Sequence, residues 1–235
     1  CNVFMGDFGA ATDDIIEGIV WAVENDADII NMSLGSIVYN GLFADAVKAA
    51  NDSGVAVFCA AGNDNTSSYQ YPASYPGAIS IAALDRGLQK SSFSCYGDKI
   101  RYAFPGVDIF STYIGGYDET DEFVITTDAY EFMSGTSMAC PVGVGVAAVA
   151  LNYAEENGMM KDLTGAAKVE KLLEVMDSAL VPTVTKGLGK GTVSLSKLVG
   201  ATVFEATPEM PVIKEGKAGK YESETLSIEF EEQKN

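Results

Sequence analysis

The strongest constraint on the fold is a regular alternation of wholly apolar segments of strand length with amphipathic segments of helical period. Apolar segments of this kind occur at residues 28–35, 55–61 and 78–84, and helical-period segments precede the first two. Strands that are apolar on both faces and alternate with helices are typical of a parallel sheet covered on both sides. The sequence therefore predicts an α/β fold, a doubly wound and mostly parallel sheet flanked by helices.

Capping residues and glycines predict where several helices begin and end. Thr12 is expected to cap a first helix, with two aspartates in the first turn. A second helix should stop at Gly54, because glycine readily adopts the left-handed conformation that ends helices. Later helices are predicted at about residues 136–156 and 166–179.

Proline and turn-forming residues give further local predictions. Pro141 lies inside the predicted long helix, and we expect it close enough to the first turn that its missing N–H costs no helical hydrogen bond. Residues 90–127 are rich in Gly, Ser, Tyr and Asp, which predicts short strands and loops near a surface cleft. From residue 204 onward the periodicity is lost, which predicts a tail or a peripheral strand.

Composition excludes several classes of function. The formal net charge of −18 over 235 residues argues against nucleic acid or an anionic membrane as a partner, because both need clustered Lys and Arg. We find neither an apolar run of about 18 residues that would span a membrane nor acidic residues spaced as metal ligands. The four cysteines lack CxxC spacing, which favours buried free thiols over the alternative of a disulfide. They are Cys1, Cys59, Cys95 and Cys140.

Three short segments could carry chemistry. Ser137 opens the long helix, where free N–H groups and the helix dipole stabilise negative charge. Asn63 follows strand 55–61 at the edge of the sheet where ligands of α/β proteins bind. Residues 31–35 end a strand in small residues, which would let an extended peptide pair with the backbone. Taken singly, each segment is better explained by a helix cap, a turn or a strand end than by a catalytic role.

Taken together, the three segments resemble the subtilase family of subtilisin-like serine proteases. The matching motifs are Gly-Thr-Ser-Met-Ala-Cys-Pro at 135–141, Ala-Ala-Gly-Asn at 60–63 and Asn-Met-Ser-Leu-Gly at 31–35. Further similarity at 71–76, 91–94, 105–107 and 187–191 extends the resemblance over roughly residues 3–200.

The resemblance implies a serine endopeptidase that hydrolyses polypeptides. Ser137 would be the nucleophile, and the Asn63 side chain would bind the oxyanion together with the Ser137 backbone N–H. The residues that would line the substrate cleft are Ser33, Leu34 and Gly35 on one edge, and Ala60, Ala61, Gly62 and Gln70 around the pocket for the residue before the cut. No cofactor is required by such chemistry. Structural calcium is common in the family, and secretion or a cell-surface location is the family habit.

The sequence departs from the family pattern in three ways. The proline of the nucleophile motif is normally followed by His but here by Val142, and residues 114–130 form a longer segment than usual. The sequence also contains no histidine. Because the catalytic Asp and His of the family both precede the region matched here, this chain alone is expected to be inactive.

The absent Asp and His predict that residues 1–200 form a partial catalytic domain, incomplete at its N-terminal side. The loss of periodicity beyond it predicts that residues 201–235 form a C-terminal tail or peripheral strand. The partner would then be the missing N-terminal segment, or a partner chain, of the same protease. Two alternatives stay open. One is a pseudoprotease that serves as a binding or regulatory scaffold. The other is an assembly module that recruits a strand from another chain near Val3.

Overall fold

The computed structural model describes residues 2–4, 9–117 and 123–200. The helices within these ranges are α1 (Thr12–Glu24), α2 (Gly41–Asp52), α3 (Thr136–Glu156), α4 (Ala166–Asp177) and α5 (Leu195–Val199). The strands are β1 (Ile29–Met32), β2 (Ala56–Ala60), β3 (Ala78–Leu84), β4 (Ile100–Pro105), β5 (Ile109–Tyr117), β6 (Phe123–Met133), β7 (Leu180–Val181) and β8 (Thr192–Val193).

The described residues divide into two compact units. The first lies within Cys1–Ile109 and Met133–Thr202, and it contains a four-stranded sheet and the helices. The second contains Phe110–Phe132, in which β5 pairs with β6. The predicted tail at 201–235 lies outside the described residues.

The sheet of the first unit confirms the doubly wound α/β prediction. Its strand order is β1-β2-β3-β4 and every neighbouring pair is parallel. All five residues of β2 are buried, as expected for a strand covered on both faces. Alternate residues of β2 serve two cores: Phe58 packs with α3 and α4 residues on one face, and Val57 packs with α2 residues on the other.

Several local predictions differ from the structure. Thr12 is the first residue of α1 and Ala11 is its N-cap, without a side-chain hydrogen bond, so the predicted Thr12 cap is wrong. β1 covers only four of the eight residues predicted, because the chain leaves the sheet after Met32. Where short strands and loops were expected, β5 alone is nine residues long. α2 ends at Asp52, and Gly54 follows with a φ of 96°, as predicted for a helix stop.

Helix α3 is long and apolar enough, by length and composition alone, to cross a membrane, a property that the sequence analysis did not single out. The same composition suits a core helix, and α3 packs against all four strands of the sheet. Among the described residues, Cys59, Cys95 and Cys140 are buried free thiols, which confirms that prediction for three cysteines. Cys1 lies outside the described residues.

Candidate functional site

The predicted nucleophile, Ser137, is tied to the chain that follows β1. Its Oγ donates a hydrogen bond of 3.3 Å to the Ser33 carbonyl oxygen, and Ser33 Oγ donates one of 2.9 Å to the Ser137 carbonyl oxygen. Asn31 Nδ2 in turn donates to Ser33 Oγ at 3.0 Å. The first turn of α3 is therefore joined to the end of β1 by a reciprocal pair of hydrogen bonds.

Pro141 explains why the Ser137 carbonyl can accept a bond from a side chain. In an α-helix the N–H of residue 141 would donate to the carbonyl of residue 137, four positions earlier. Since α3 begins at Thr136, that partner exists, and the prediction that Pro141 costs no helical hydrogen bond is wrong. The carbonyl that loses its helical donor is the one that accepts from Ser33 Oγ.

The side chain of Asn63 is fixed through its oxygen. Asn63 Oδ1 accepts hydrogen bonds of 2.9 Å from both the backbone N and the Oγ1 of Thr136. Thr136 Oγ1 also accepts from the backbone N of Gly62 at 3.1 Å, and Thr136 is almost completely buried. Because the amide oxygen faces Thr136, the Nδ2 of the exposed Asn63 side chain points away from Thr136. Within the described ranges this nitrogen donates to no other residue. Sequence reasoning missed Thr136, although a hydroxyl residue at a helix start is a signal for such a role.

The nitrogen donors of Asn63 and Ser137 border one small space beside Gly135. A methyl group added at Gly135 would lie 3.5 Å from Asn63 Nδ2 and 3.7 Å from the backbone N of Ser137. Glycine leaves this space open at the N-terminus of α3, where the helix dipole favours negative charge. Met138 Sδ borders the same space, at 3.5 Å from the added methyl. Two nitrogen donors that border one space can stabilise an oxygen that gains charge there during a reaction.

The residues predicted to line the substrate cleft fall in two places. Ser33 lies against Ser137, and Leu34 and Gly35 lead to Ser36, which forms two backbone hydrogen bonds of 2.8 Å with Tyr71.

The second place lies around Gly62, next to Asn63. Ala60 and Ala61 are buried at the end of β2, so only their backbone could face a peptide. Gln70 is buried too, and a methyl group added at Gly62 would lie 3.0 Å from Gln70 Cγ. Ala61 and Gln70 line a small pocket together with Cys95.

Among the described residues, no basic side chain forms a hydrogen bond with Ser137 Oγ. The sequence has no histidine. Cys140, one turn after Ser137, has a thiol pKa that burial raises to about 12, against smaller lowering by hydrogen bonds with Met32 and Ser33. A thiol held neutral in this way does not accept a proton at neutral pH. Among the residues that the structure describes, no cluster of three or more His, Cys, Asp or Glu could hold a metal ion.

Comparison with known proteins places this geometry in a family. The profile described as the Subtilase family matches residues 2–200. The thermostable alkaline protease of Halalkalibacterium halodurans is 42% identical over 135 residues, which cover 57% of this chain and 34% of that protein. Subtilisin E of Bacillus subtilis is 41% identical over 142 residues, which cover 59% of this chain and 34% of that protein. This chain thus spans about a third of the length of these relatives.

Solved structures agree with the sequence match. A protease from Pseudoalteromonas arctica superposes with a TM-score of 0.70 at 28% identity, over 84% of this chain and 60% of the other. A cold-adapted subtilisin-like serine proteinase gives a TM-score of 0.63 at 27% identity, over 82% of this chain and 63% of the other. Because the profile match covers the sheet, α3 and the motifs at Ser33, Asn63 and Ser137, the chain belongs to the subtilase family.

Proposed function

We propose that this chain is the nucleophile-bearing part of a serine endopeptidase. Ser137 Oγ attacks the carbonyl carbon of the scissile bond, and the carbonyl oxygen, as it gains charge, is held by Asn63 Nδ2 and the Ser137 backbone N–H. The observation that carries the proposal is the space beside Gly135, which both nitrogen donors border at the helix N-terminus. Thr136 supports the same role, because it holds the Asn63 oxygen and leaves the nitrogen free to donate.

The base must come from outside these 235 residues. A serine hydroxyl is a weak nucleophile unless an adjacent group removes its proton. In this chain Ser137 Oγ donates to the Ser33 carbonyl, a neutral oxygen that cannot take the proton. We therefore propose that the Asp and His of the family come from an N-terminal segment, or a partner chain, of the same protease.

The substrate of the proposed enzyme is a polypeptide in extended form. Its backbone would pair with Ser33, Leu34 and Gly35, and the side chain before the cut would enter beside Ala60–Gly62, above Gln70. Related proteins include an extracellular serine protease of Natrialba magadii, which supports secretion or a cell-surface location. The reaction itself needs no cofactor, so calcium, if bound, would serve stability.

One observation favours a second candidate function. A subtilase-shaped protein without histidine could bind peptides in the same cleft without cutting them, as a pseudoprotease scaffold. The two candidates differ only in whether a base ever reaches Ser137.

A fluorophosphonate probe, read by intact mass, separates the two candidates. It should be applied to the 235-residue chain, to the longest natural polypeptide that contains it, and to Ser137→Ala variants of both. Labelling of the longer polypeptide alone, abolished by Ser137→Ala, is the expected result. No labelling in either form would overturn the endopeptidase and support the scaffold. Labelling of the short chain would show that a base exists among its own residues.

A further inference from the structure

Lys90 places its ammonium group in a cage of oxygen atoms next to the segment that carries Asn63. Lys90 Nζ donates to Asn65 Oδ1 at 2.7 Å, to the Ser91 carbonyl oxygen at 2.9 Å and to the Ser94 carbonyl oxygen at 3.1 Å. These three bonds use all the hydrogens of the ammonium group. The same nitrogen lies 5.4 Å from the centre of the Tyr96 ring, within the range of a cation–π interaction.

The ammonium joins two loops that meet behind the site. One loop follows β2 and contains Asn63 and Asn65, and the other follows β3 and contains residues 91–96. Three backbone hydrogen bonds already link them. They run from Asn65 N to Phe93 O at 2.8 Å, from Cys95 N to Gly62 O at 3.0 Å and from Tyr96 N to Thr66 O at 3.0 Å. Lys90 adds hydrogen bonds from a side-chain cation to this junction, and a second cation, Lys99 Nζ, lies 5.1 Å from the centre of the Tyr69 ring farther along the same two loops.

Asn65 is the point where the ammonium acts on the loop after β2. Its φ is 48°, in the left-handed region that residues other than glycine rarely adopt. Asparagine adopts this conformation more readily than most residues do, and here its Oδ1 is also held by Lys90, which lies 25 positions away in the sequence. Asn63 therefore lies between two residues that are held in place. Gly62 is hydrogen-bonded to Thr136 and Cys95, and Asn65 is hydrogen-bonded to Lys90 and Phe93.

We infer that Lys90 is a positioning residue for oxyanion stabilisation: its ammonium fixes the loop after β2 and thereby the direction of the Asn63 amide. The inference rests on the proposed function, since it assigns Lys90 to the same site. Hydrogen-bond donors stabilise a developing charge only when they are held close to the productive geometry. Lys90 touches neither the nucleophile nor the residues proposed to pair with substrate, so its loss acts on the reaction step and not on peptide binding.

Kinetics of the longest natural polypeptide provide the first test. Lys90→Met should lower kcat for a peptide substrate, and the rate of fluorophosphonate labelling, by about tenfold, while KM changes less than about twofold. Lys90→Arg keeps the charge and donors and should recover part of the loss. Lys186→Met is the matched control, because Lys186 is exposed and makes no hydrogen bond with the other described residues. An unchanged kcat, or a loss confined to KM, would overturn the inference.

Amide hydrogen exchange of the 235-residue chain provides a test that needs no activity. Lys90→Met should speed exchange at residues 62–66 by about tenfold or more relative to Lys186→Met, with β2 and β3 unchanged. Equal exchange in the two variants would overturn the role of Lys90 whether or not the protein is an enzyme. Faster exchange in a polypeptide that the probe never labels would keep Lys90 as the residue that fixes this loop and reject only the endopeptidase.

Discussion

Replacing Thr136 by valine removes one hydroxyl group and keeps the shape of the side chain. That hydroxyl donates to Asn63 Oδ1 at 2.9 Å and accepts from Gly62 N at 3.1 Å, at a residue that is 1% exposed. Each lost hydrogen bond costs about 1 kcal/mol, and a Gly62 N–H left without an acceptor raises the total. We expect the free energy of unfolding to fall by about 2–3 kcal/mol. Asn63 keeps one bond, from Thr136 N, so its amide can turn.

Urea unfolding of the 235-residue chain, followed by circular dichroism, measures this loss. Thr136→Ser is the control, because it keeps the hydroxyl and loses one methyl group, worth about 0.8 kcal/mol. In the longest natural polypeptide, Thr136→Val should also slow fluorophosphonate labelling, whereas Thr136→Ser should not. If Thr136→Val lowers the free energy of unfolding no more than Thr136→Ser does, the Thr136 hydroxyl does not hold Asn63 in place.

Three further predictions address the space between the donors, a buried thiol and an ion-pair cluster. Gly135→Ala should fold normally, since the added methyl meets its neighbours at 3.5 Å or more. In the longest natural polypeptide it should slow fluorophosphonate labelling by filling the space between the two donors, and an unchanged rate would place the oxyanion elsewhere. Burial raises the Cys140 thiol pKa from 9.0 to about 12, so the stability that the neutral thiol contributes is complete below pH 9 and is lost as pH rises toward 12. The free energy of unfolding of Cys140→Ala, measured from pH 8 to 11, should therefore fall less steeply than that of the unmodified chain, and equal slopes would refute this. Asp177 accepts hydrogen bonds from Arg101, Tyr102 and Lys190, so Asp177→Asn should lower the free energy of unfolding in urea by about 2 kcal/mol. Asp52→Asn, which alters an exposed ion pair with Lys48, should lower it by less than about 0.5 kcal/mol, and similar losses in the two variants would show that the Asp177 bonds do not stabilise the fold.

Patterns that are local in sequence predicted the sheet and the positions of the site residues. The apolar runs at 55–61 and 78–84 correspond to the buried strands β2 and β3, because a strand covered on both faces must be apolar throughout. The motifs likewise placed Ser137 at the start of α3 and Asn63 after β2.

Contacts between distant parts of the chain could not be predicted in this way. The bonds of Thr136 to Asn63 join residues 73 positions apart, and those of Ser33 to Ser137 join residues 104 positions apart. The error about Pro141 had a different origin, because the helix was predicted to begin at about residue 136 and does begin there. From that start the bond from residue 141 to the carbonyl of residue 137 is already a helical one, so its loss followed from the sequence alone. The cage around Lys90 requires three oxygen atoms that come together only after two loops meet.

The bond from Ser137 Oγ to the Ser33 carbonyl bears on how the proposed base would reach the proposed nucleophile. At 3.3 Å it is long for a hydroxyl donor, so exchanging it for another acceptor costs only about 0.5 kcal/mol. The Ser137 carbonyl stays bonded to Ser33 Oγ throughout such an exchange, so the backbone need not move. Activation by an incoming base would then require only a turn of one side chain. The proposed enzyme would then be able to complete its folding before the base arrives.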